Sequence, residues 1–188
     1  MVYPSLQPHY VSRLLDHMAA EIKKDLDVQE ASTTREVTML RRYLFEQQGF
    51  SGNEGHYYDP DNSFIHRVLE RKTGIPISLS CIYLLIAQRL DMPAFGVGLP
   101  GHFIVGHSTA SGVIYVDPYQ RGHLLTREDC IEIVRQRGLS FQEAFLAPTP
   151  NHHILTRMIA NLVNVYTEQR QPERAQWLTQ ILALFDTD

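Results

Sequence analysis

Residues 96–117 read GVGLPGHFIVGHSTASGVIYVD, a pattern that predicts a β-hairpin. Residues 102–107 and 112–117 are apolar or alternate in polarity, as strands do. The segment between them, residues 108–112, consists of small and polar residues that are typical of a turn. Two antiparallel strands joined by a tight turn are therefore expected here.

The position of the turn sets which side chains face each other across this hairpin. A turn centred on residues 109 and 110 pairs His102 with Asp117. Directly opposed side chains lie about 4.5–5.5 Å apart at Cβ, which is within reach of an imidazole–carboxylate hydrogen bond. The hairpin thus predicts the general base and the orienting carboxylate of a catalytic triad, and the nucleophile has to be sought elsewhere.

The composition is that of an ordinary globular protein. The chain has 188 residues, of which 44% are hydrophobic and 20% are charged, enough for one domain with or without a small appendage. The formal net charge is −4 and no run of basic residues occurs, so we expect neither nucleic acid nor membrane as a partner. The longest apolar run, near residues 79–87, is far shorter than the roughly 20 residues that span a bilayer.

Two further features predict a cytoplasmic location. The two cysteines, Cys81 and Cys130, both lie in apolar helical patterns, so we expect two buried, reduced thiols rather than a disulfide. Residues 1–8 are polar and interrupted by prolines, unlike a signal peptide.

Helical periodicity covers most of the chain outside the hairpin. Residues 77–90 are apolar on nearly all sides, which predicts a central helix packed within the fold. A third strand is expected at residues 121–125. The other predicted helices lie in residues 10–48 with a polar break at 27–34, in 64–71, in 126–137 after a capping box, and as a helical pair in 149–188.

Six motifs in the chain resemble those of the SirB-type, transglutaminase-like "core 2" family, over roughly residues 40–185. They are YYDPDNSF (57–64), RVLERKTGIPISLS (67–80), GVGLPGHF (96–103), VDPY (116–119), LTREDC (125–130) and RMIANL (157–162).

The resemblance implies a papain-like α+β core, in which a central buried helix packs on a small antiparallel sheet with helical N-terminal and C-terminal extensions. It also implies a transglutaminase-like domain over residues 1–148, followed by a tetratricopeptide-like helical hairpin over residues 149–188. Active relatives of this kind place a cysteine at the N-terminus of the central helix, with a His and an Asp on adjacent strands. His102 and Asp117 match the family's His and Asp.

The family's nucleophilic cysteine has no counterpart at the matching position of this sequence. The resemblance places it about fifteen residues before the turn at residues 91–93, which leads to Pro76, and proline carries no nucleophile. Ser78 is the best-placed substitute, with Ser80 slightly further along, although a serine in a first helical turn usually caps the helix. Cys81 lies deeper in the apolar helix and is expected to be structural.

A groove beside His102 is expected to be lined by Tyr58, Asn62, Gly98 and Gly101. The glycines would let the backbone of a ligand approach closely. For Asn62, capping of the following helix is the alternative role.

Neither a metal nor another cofactor is expected. His102 and His107 are five residues apart on a predicted strand, so their side chains point to opposite faces and cannot share a metal ion.

Two functions remain open at this stage. The favoured one is a non-catalytic module that binds a peptide or protein segment in a protease-like groove, because the thiol is missing. The alternative is a hydrolase or acyltransferase that acts on peptide amide or ester bonds, with catalytic residues His102 and Asp117 and either Ser78 or an activated water as nucleophile.

Overall fold

The fold is known from a computed structural model that describes Tyr3, residues 6–26 and residues 32–185. Most of the polar break at residues 27–34, several of residues 1–8 and the last three residues of the 149–188 tail lie outside the described residues.

Seven α-helices and six short strands make up the described part of the chain. The first four helices precede the main sheet, the fifth follows it, and the last two form an antiparallel pair. They are α1 (Pro8–Leu26), α2 (Thr33–Arg41), which continues as a π-helix (Arg42–Gln47), α3 (Ile65–Arg71), α4 (Pro76–Arg89), α5 (Arg127–Arg135), α6 (Asn151–Glu168) and α7 (Pro172–Ala183). Single 3₁₀ turns occupy Pro60–Ser63 and Glu143–Leu146.

The main sheet contains four antiparallel strands in the order of the chain. They are β3 (Ala94–Val97), β4 (Ile104–Thr109), β5 (Gly112–Asp117) and β6 (His123–Leu125). A separate parallel pair, β1 (Ser51–Gly52) with β2 (Thr73–Gly74), holds the loop that precedes α3 against the start of α4. The predicted α+β class is confirmed.

The predicted hairpin is present, but the register predicted for it is wrong. Thr109 pairs with Gly112, so the turn is centred one residue later than expected. Gly112 adopts φ +134°, a conformation that favours glycine and lets the strand leave a tight two-residue turn. Extending this register places Tyr119, rather than Asp117, opposite His102. Because the partner moves by two positions, His102 and Asp117 still belong to the same face of the sheet.

Helix α4 is the central helix that the apolar pattern predicts. It contacts α1, α3, α6 and strands β3 and β4, and Ile82, Tyr83 and Ile86 are at most 1% exposed. The Tyr83 hydroxyl lies 3.0 Å from Nε2 of His107 in the core. Burial lowers the pKa of His107 to about 4, so this histidine is neutral at pH 7.

Both cysteines are free thiols, as expected. Cys130 is fully buried, whereas Cys81 is only partly buried and its Sγ lies 3.5 Å from Sδ of Met158 in α6. The expectation of full burial is therefore wrong for Cys81, because its side chain faces the seam between α4 and α6. Burial raises the pKa of each thiol to about 12.

Within the described ranges, no helix is long and apolar enough to cross a membrane.

Packing around the turn that follows Asp117 predicts a specific loss of stability. Gly122 has φ +71°, and a Cβ added there would lie 2.3 Å from the Phe45 ring. Gly138 has the same conformation, φ +73°, with open space around it. We expect Gly138→Ala to lower the free energy of unfolding by about 1 kcal/mol, through backbone strain alone. Gly122→Ala should cost about 1–3 kcal/mol more, through overpacking.

Urea unfolding of both variants measures this difference, with Gly138→Ala as the matched control. Equal losses of stability in the two variants would contradict the packing argument.

Candidate functional site

His102 and Asp117 form the hydrogen-bonded pair that the hairpin predicts. Nε2 of His102 lies 2.7 Å from Oδ2 of Asp117, and the side chains are 11% and 3% exposed. The other carboxylate oxygen, Oδ1, accepts the backbone N–H groups of Tyr119 at 3.0 Å and Gln120 at 3.3 Å. Because an ionised carboxylate only accepts hydrogen bonds, Nε2 carries the proton and Nδ1 is left as the basic nitrogen.

The loop before β4 brings His102 to this position despite the shifted register. His102 lies two residues before the strand, where its backbone N–H closes a turn onto the carbonyl of Leu99 at 3.1 Å. Its imidazole reaches Asp117 diagonally, which a long side chain on the same face of a sheet can do.

Two cavities meet at His102. The smaller has a volume of about 110 Å³ and lies against the N-terminus of α4 and the middle of α6. Its lining consists of Tyr57, Pro76, Ile77, Gly101, His102, Phe103, Arg157 and Asn161. The larger, about 400 Å³, lies on the α5 side of His102. Its lining consists of His102, Asp117, Tyr119, Gln120, Leu125, Asp129, Glu132, Ile133, Gln136 and Arg137.

Pro76 occupies the place where a nucleophile would have to stand. It is the first residue of α4, it is buried, and it lines the same small cavity as His102. The first turn of the central helix therefore faces the imidazole, as a papain-like arrangement requires. The side chain at that point is a pyrrolidine ring, which can neither attack an acyl group nor donate a proton.

The two serines near the start of α4 are both engaged elsewhere. The Ser78 hydroxyl accepts the N–H of Ile75 at 3.1 Å and donates to the carbonyl of Asn62 at 2.6 Å. The Ser80 hydroxyl donates to the carbonyl of Phe103 at 3.2 Å. Both serines are fully buried, and among the described residues neither hydroxyl bonds to His102. Contrary to expectation, Ser78 is not the N-cap residue but lies at the third helical position, and its hydroxyl accepts the backbone N–H of the N-cap residue, Ile75.

The four residues predicted to line one groove do not lie together in the structure. Gly101 lies in the lining of the small cavity, with φ +70°. Tyr58 is 58% exposed and belongs to neither cavity beside His102, whereas its neighbour Tyr57 lines the smaller one. Gly98 lies under α6, where its N–H donates to Oγ1 of Thr149 at 3.0 Å.

The groove role predicted for Asn62 is wrong, and so is its alternative role as a helix cap. The side chain is fully buried and donates to the carbonyls of His56 and Tyr57 at 2.7 and 3.1 Å, while accepting from Nδ2 of Asn53. Helix α3 has Phe64 as its N-cap, without a side-chain hydrogen bond. Asn62 thus shapes the loop that carries Tyr57.

Three side chains that the sequence analysis did not single out surround the imidazole. Arg157 and Asn161 come from α6, and Tyr57 comes from the loop before α3. Nη2 of Arg157 donates to the carbonyls of Leu99 and His102 at 2.8 and 2.6 Å, so it fixes the turn that presents His102. The RMIANL motif could have indicated this, because Arg157 and Asn161 are four residues apart and such residues share one face of a helix.

In the part of the chain that the structure describes, no cluster of three or more His, Cys, Asp or Glu side chains could hold a metal ion.

Comparison with known proteins shows to which family the chain belongs. A family model described as the transglutaminase-like superfamily matches residues 9–160. The chain is 35% identical to a UPF0162 protein of Xylella fastidiosa over 92% of its own length and 63% of the relative's. A UPF0162 protein of Pseudomonas aeruginosa is 30% identical, over 90% of this chain and 62% of the relative.

A more distant relative is the human F-box only protein 21, with 33% identity over 76% of this chain and 23% of that protein. The chain thus spans less than two thirds of the length of these relatives. No solved structure matches it. The family match covers the central helix, the sheet, the His102–Asp117 pair and part of α6. The chain therefore belongs to the transglutaminase-like superfamily.

Proposed function

We propose that this chain is a non-catalytic module that binds a peptide or protein segment in the groove beside His102. The observation that carries the proposal is Pro76, which lines the small cavity with His102 at the point where a nucleophile is needed. The histidine and aspartate correspond to the general base and its orienting group of a triad, and Pro76 gives them no hydroxyl or thiol to activate.

The chemistry of the nearby nucleophiles supports the same conclusion. The hydroxyl groups of Ser78 and Ser80 both donate to backbone carbonyls, and that of Ser78 also accepts a backbone N–H at the start of α4. Cys81 has a pKa of about 12 because of burial, so almost none of it is thiolate at neutral pH, and its sulfur contacts Met158.

The shape of the site suits an extended ligand. The cavities of about 110 and 400 Å³ both have His102 in their lining, one on the α6 side and the other on the α5 side, and one extended ligand would occupy both. Tyr57, Tyr119 and Arg137 in these linings provide aromatic faces and hydrogen-bond donors, the groups that most often anchor peptide segments.

The proposal also includes the branch of the family, the nature of the C-terminal helical pair and the cellular location. We place the chain in the SirB-type branch, on the motifs quoted above, and treat α6 and α7 as one tetratricopeptide-like helical pair that closes the 1–148 domain. A cytoplasmic location is proposed on the two free thiols.

One observation favours a second function. The His102–Asp117 pair is short, well oriented and leaves Nδ1 basic, which is the arrangement of a general base. If that nitrogen activated a water molecule or Ser78, the protein would be a hydrolase or acyltransferase on peptide amide or ester bonds.

Turnover measurements separate the two functions. We expect wild type, Ser78→Ala and His102→Ala to convert acyl and amide probe substrates no faster than buffer does, because none of them has an activated nucleophile. Turnover above background that is lost in both variants would overturn the binding function and indicate a serine enzyme. Turnover that survives Ser78→Ala but not His102→Ala would overturn it in favour of an activated water.

A cysteine at position 76 tests whether this position faces the imidazole. We expect the new thiol of Pro76→Cys to react with iodoacetamide at pH 7 at least tenfold faster than the two native thiols, whose pKa of about 12 keeps them protonated. Adding His102→Ala should remove most of that reactivity. Labelling sites are read by mass spectrometry of peptides. A thiol at position 76 that is as inert as Cys130 would contradict the placement.

Filling the small cavity tests the binding site itself. Peptides selected from a random display library on the wild-type protein should bind Asn161→Trp at least tenfold more weakly, because the indole occupies the cavity beside His102. Asn164→Trp is the matched control, since Asn164 is an exposed asparagine one turn along the same helix, and it should stay within twofold of wild type. Equal binding to both variants would place the peptide site elsewhere.

A further inference from the structure

The small cavity contains an arginine that has no carboxylate partner. None of the ion pairs among the described residues involves Arg157, and only one of its three guanidinium nitrogens, Nη2, makes hydrogen bonds, both to backbone carbonyls. The three nitrogens carry five N–H donors, and those on Nε and Nη1 have no acceptor among the described residues. The guanidinium also lies over the Phe103 ring, 5.5 Å from its centroid.

Apart from Arg157, the side-chain donors in the cavity wall are neutral, and Pro76, Ile77 and Phe103 add apolar surface. Asn161 makes no side-chain hydrogen bond with any described residue, and the Tyr57 hydroxyl likewise has no acceptor. Burial raises the pKa of Tyr57, so its hydroxyl stays protonated and able to donate. Among the lining residues there is no Asp or Glu side chain.

The electrostatics of Arg157 point the same way. Burial lowers its pKa, and Tyr57 opposes this shift only weakly. An arginine that is already matched by an anion has its charged form favoured rather than disfavoured. Because the guanidinium remains charged at any pH that the protein meets, a bound anion would offset the cost of burying it.

The size of the cavity limits what such an anion can be. About 110 Å³ corresponds to three or four water molecules at roughly 30 Å³ each. That space admits a carboxylate with one or two attached carbons. The lining itself contains one arginine, and the Arg137 guanidinium beside Gly101 is already turned to that residue's carbonyl. One lining arginine suits a singly charged, planar group, whereas a phosphate usually meets several basic residues.

We infer that the small cavity beside His102 is a carboxylate subsite, in which Arg157, Asn161 and Tyr57 would bind a peptide's terminal carboxylate or an acidic side chain. The inference rests on the proposed binding function and names the chemical group by which the groove would recognise its partner.

Small carboxylates test the subsite without a known ligand. The probes are N-acetylglycine as a peptide terminus, N-acetylaspartate α-amide as a side chain, N-acetylglycinamide as the neutral match, and inorganic phosphate. In ¹H–¹⁵N spectra we expect saturable shifts of the Gly101 amide and the Arg157 Nε–H with at least one carboxylate, at an affinity at least tenfold above that for the neutral amide. Which carboxylate binds better identifies its source.

Variants separate an anion site from the loop-fixing role of Arg157. Arg157→Gln should abolish carboxylate binding, but it also removes the bonds to Leu99 and His102. Asn161→Asp leaves those bonds intact and supplies a carboxylate inside the cavity, so it should weaken binding of the probe at least tenfold. Asn164→Asp, with the same charge change at an exposed position, should stay within twofold of wild type.

Several results would overturn the inference. Equal affinity for N-acetylglycine and N-acetylglycinamide, tighter binding of phosphate than of either carboxylate, or unchanged binding in Asn161→Asp each contradict a carboxylate subsite. These outcomes leave the proposed function standing, because that function fails on different evidence, namely turnover or selected peptides that ignore Asn161→Trp.

Discussion

The buried carboxylate of Asp117 constrains the site more than any other group. A carboxylate that is 3% exposed must have its oxygens hydrogen-bonded, since an unpaired buried charge costs several kcal/mol. Oδ1 takes two backbone N–H groups from the turn after β5, and Oδ2 takes the imidazole of His102. The path of that turn and the approach of the loop before β4 are therefore fixed by one side chain. This explains how an oriented His–Asp pair can be kept for structural reasons.

The first turn of α4 meets this pair with the hydroxyl of its one serine already engaged. Pro76 supplies the fixed φ that suits the first helical position, and Ser78 ties the helix start to the loop that holds Asn62. Gly74 is needed beside them, because a Cβ there would lie 2.7 Å from Oγ of Ser78. A serine held by two backbone groups in this way suits a groove wall. A nucleophile needs the opposite, a side chain free to change its hydrogen bonds during a reaction.

Much of this could be predicted from the sequence, and the errors have physical causes. The apolar surface of α4 and the capping box of Thr126 and Asp129 are local signals, and both are present in the structure. The hairpin register was wrong because the position of a turn among small residues depends on which one accepts an unusual φ, here Gly112. The His102–Asp117 bond survived because the shift was by two positions. Asn62 was misplaced because its partners, Asn53, His56 and Tyr57, lie in the irregular loop after β1, which has no periodicity to read.

The largest omission from the sequence analysis was the role of α6. This helix contributes side chains to the site itself. Arg157 holds the turn that presents His102, Asn161 lines the same cavity, and Met158 packs on Cys81 of the central helix. A wall of the groove is thus supplied by a segment that periodicity alone describes as a helical appendage. Arg157 holds the backbone of the turn from which His102 projects, while Asp117 holds the imidazole itself. The C-terminal helical pair is therefore joined to the His102 turn through one guanidinium group.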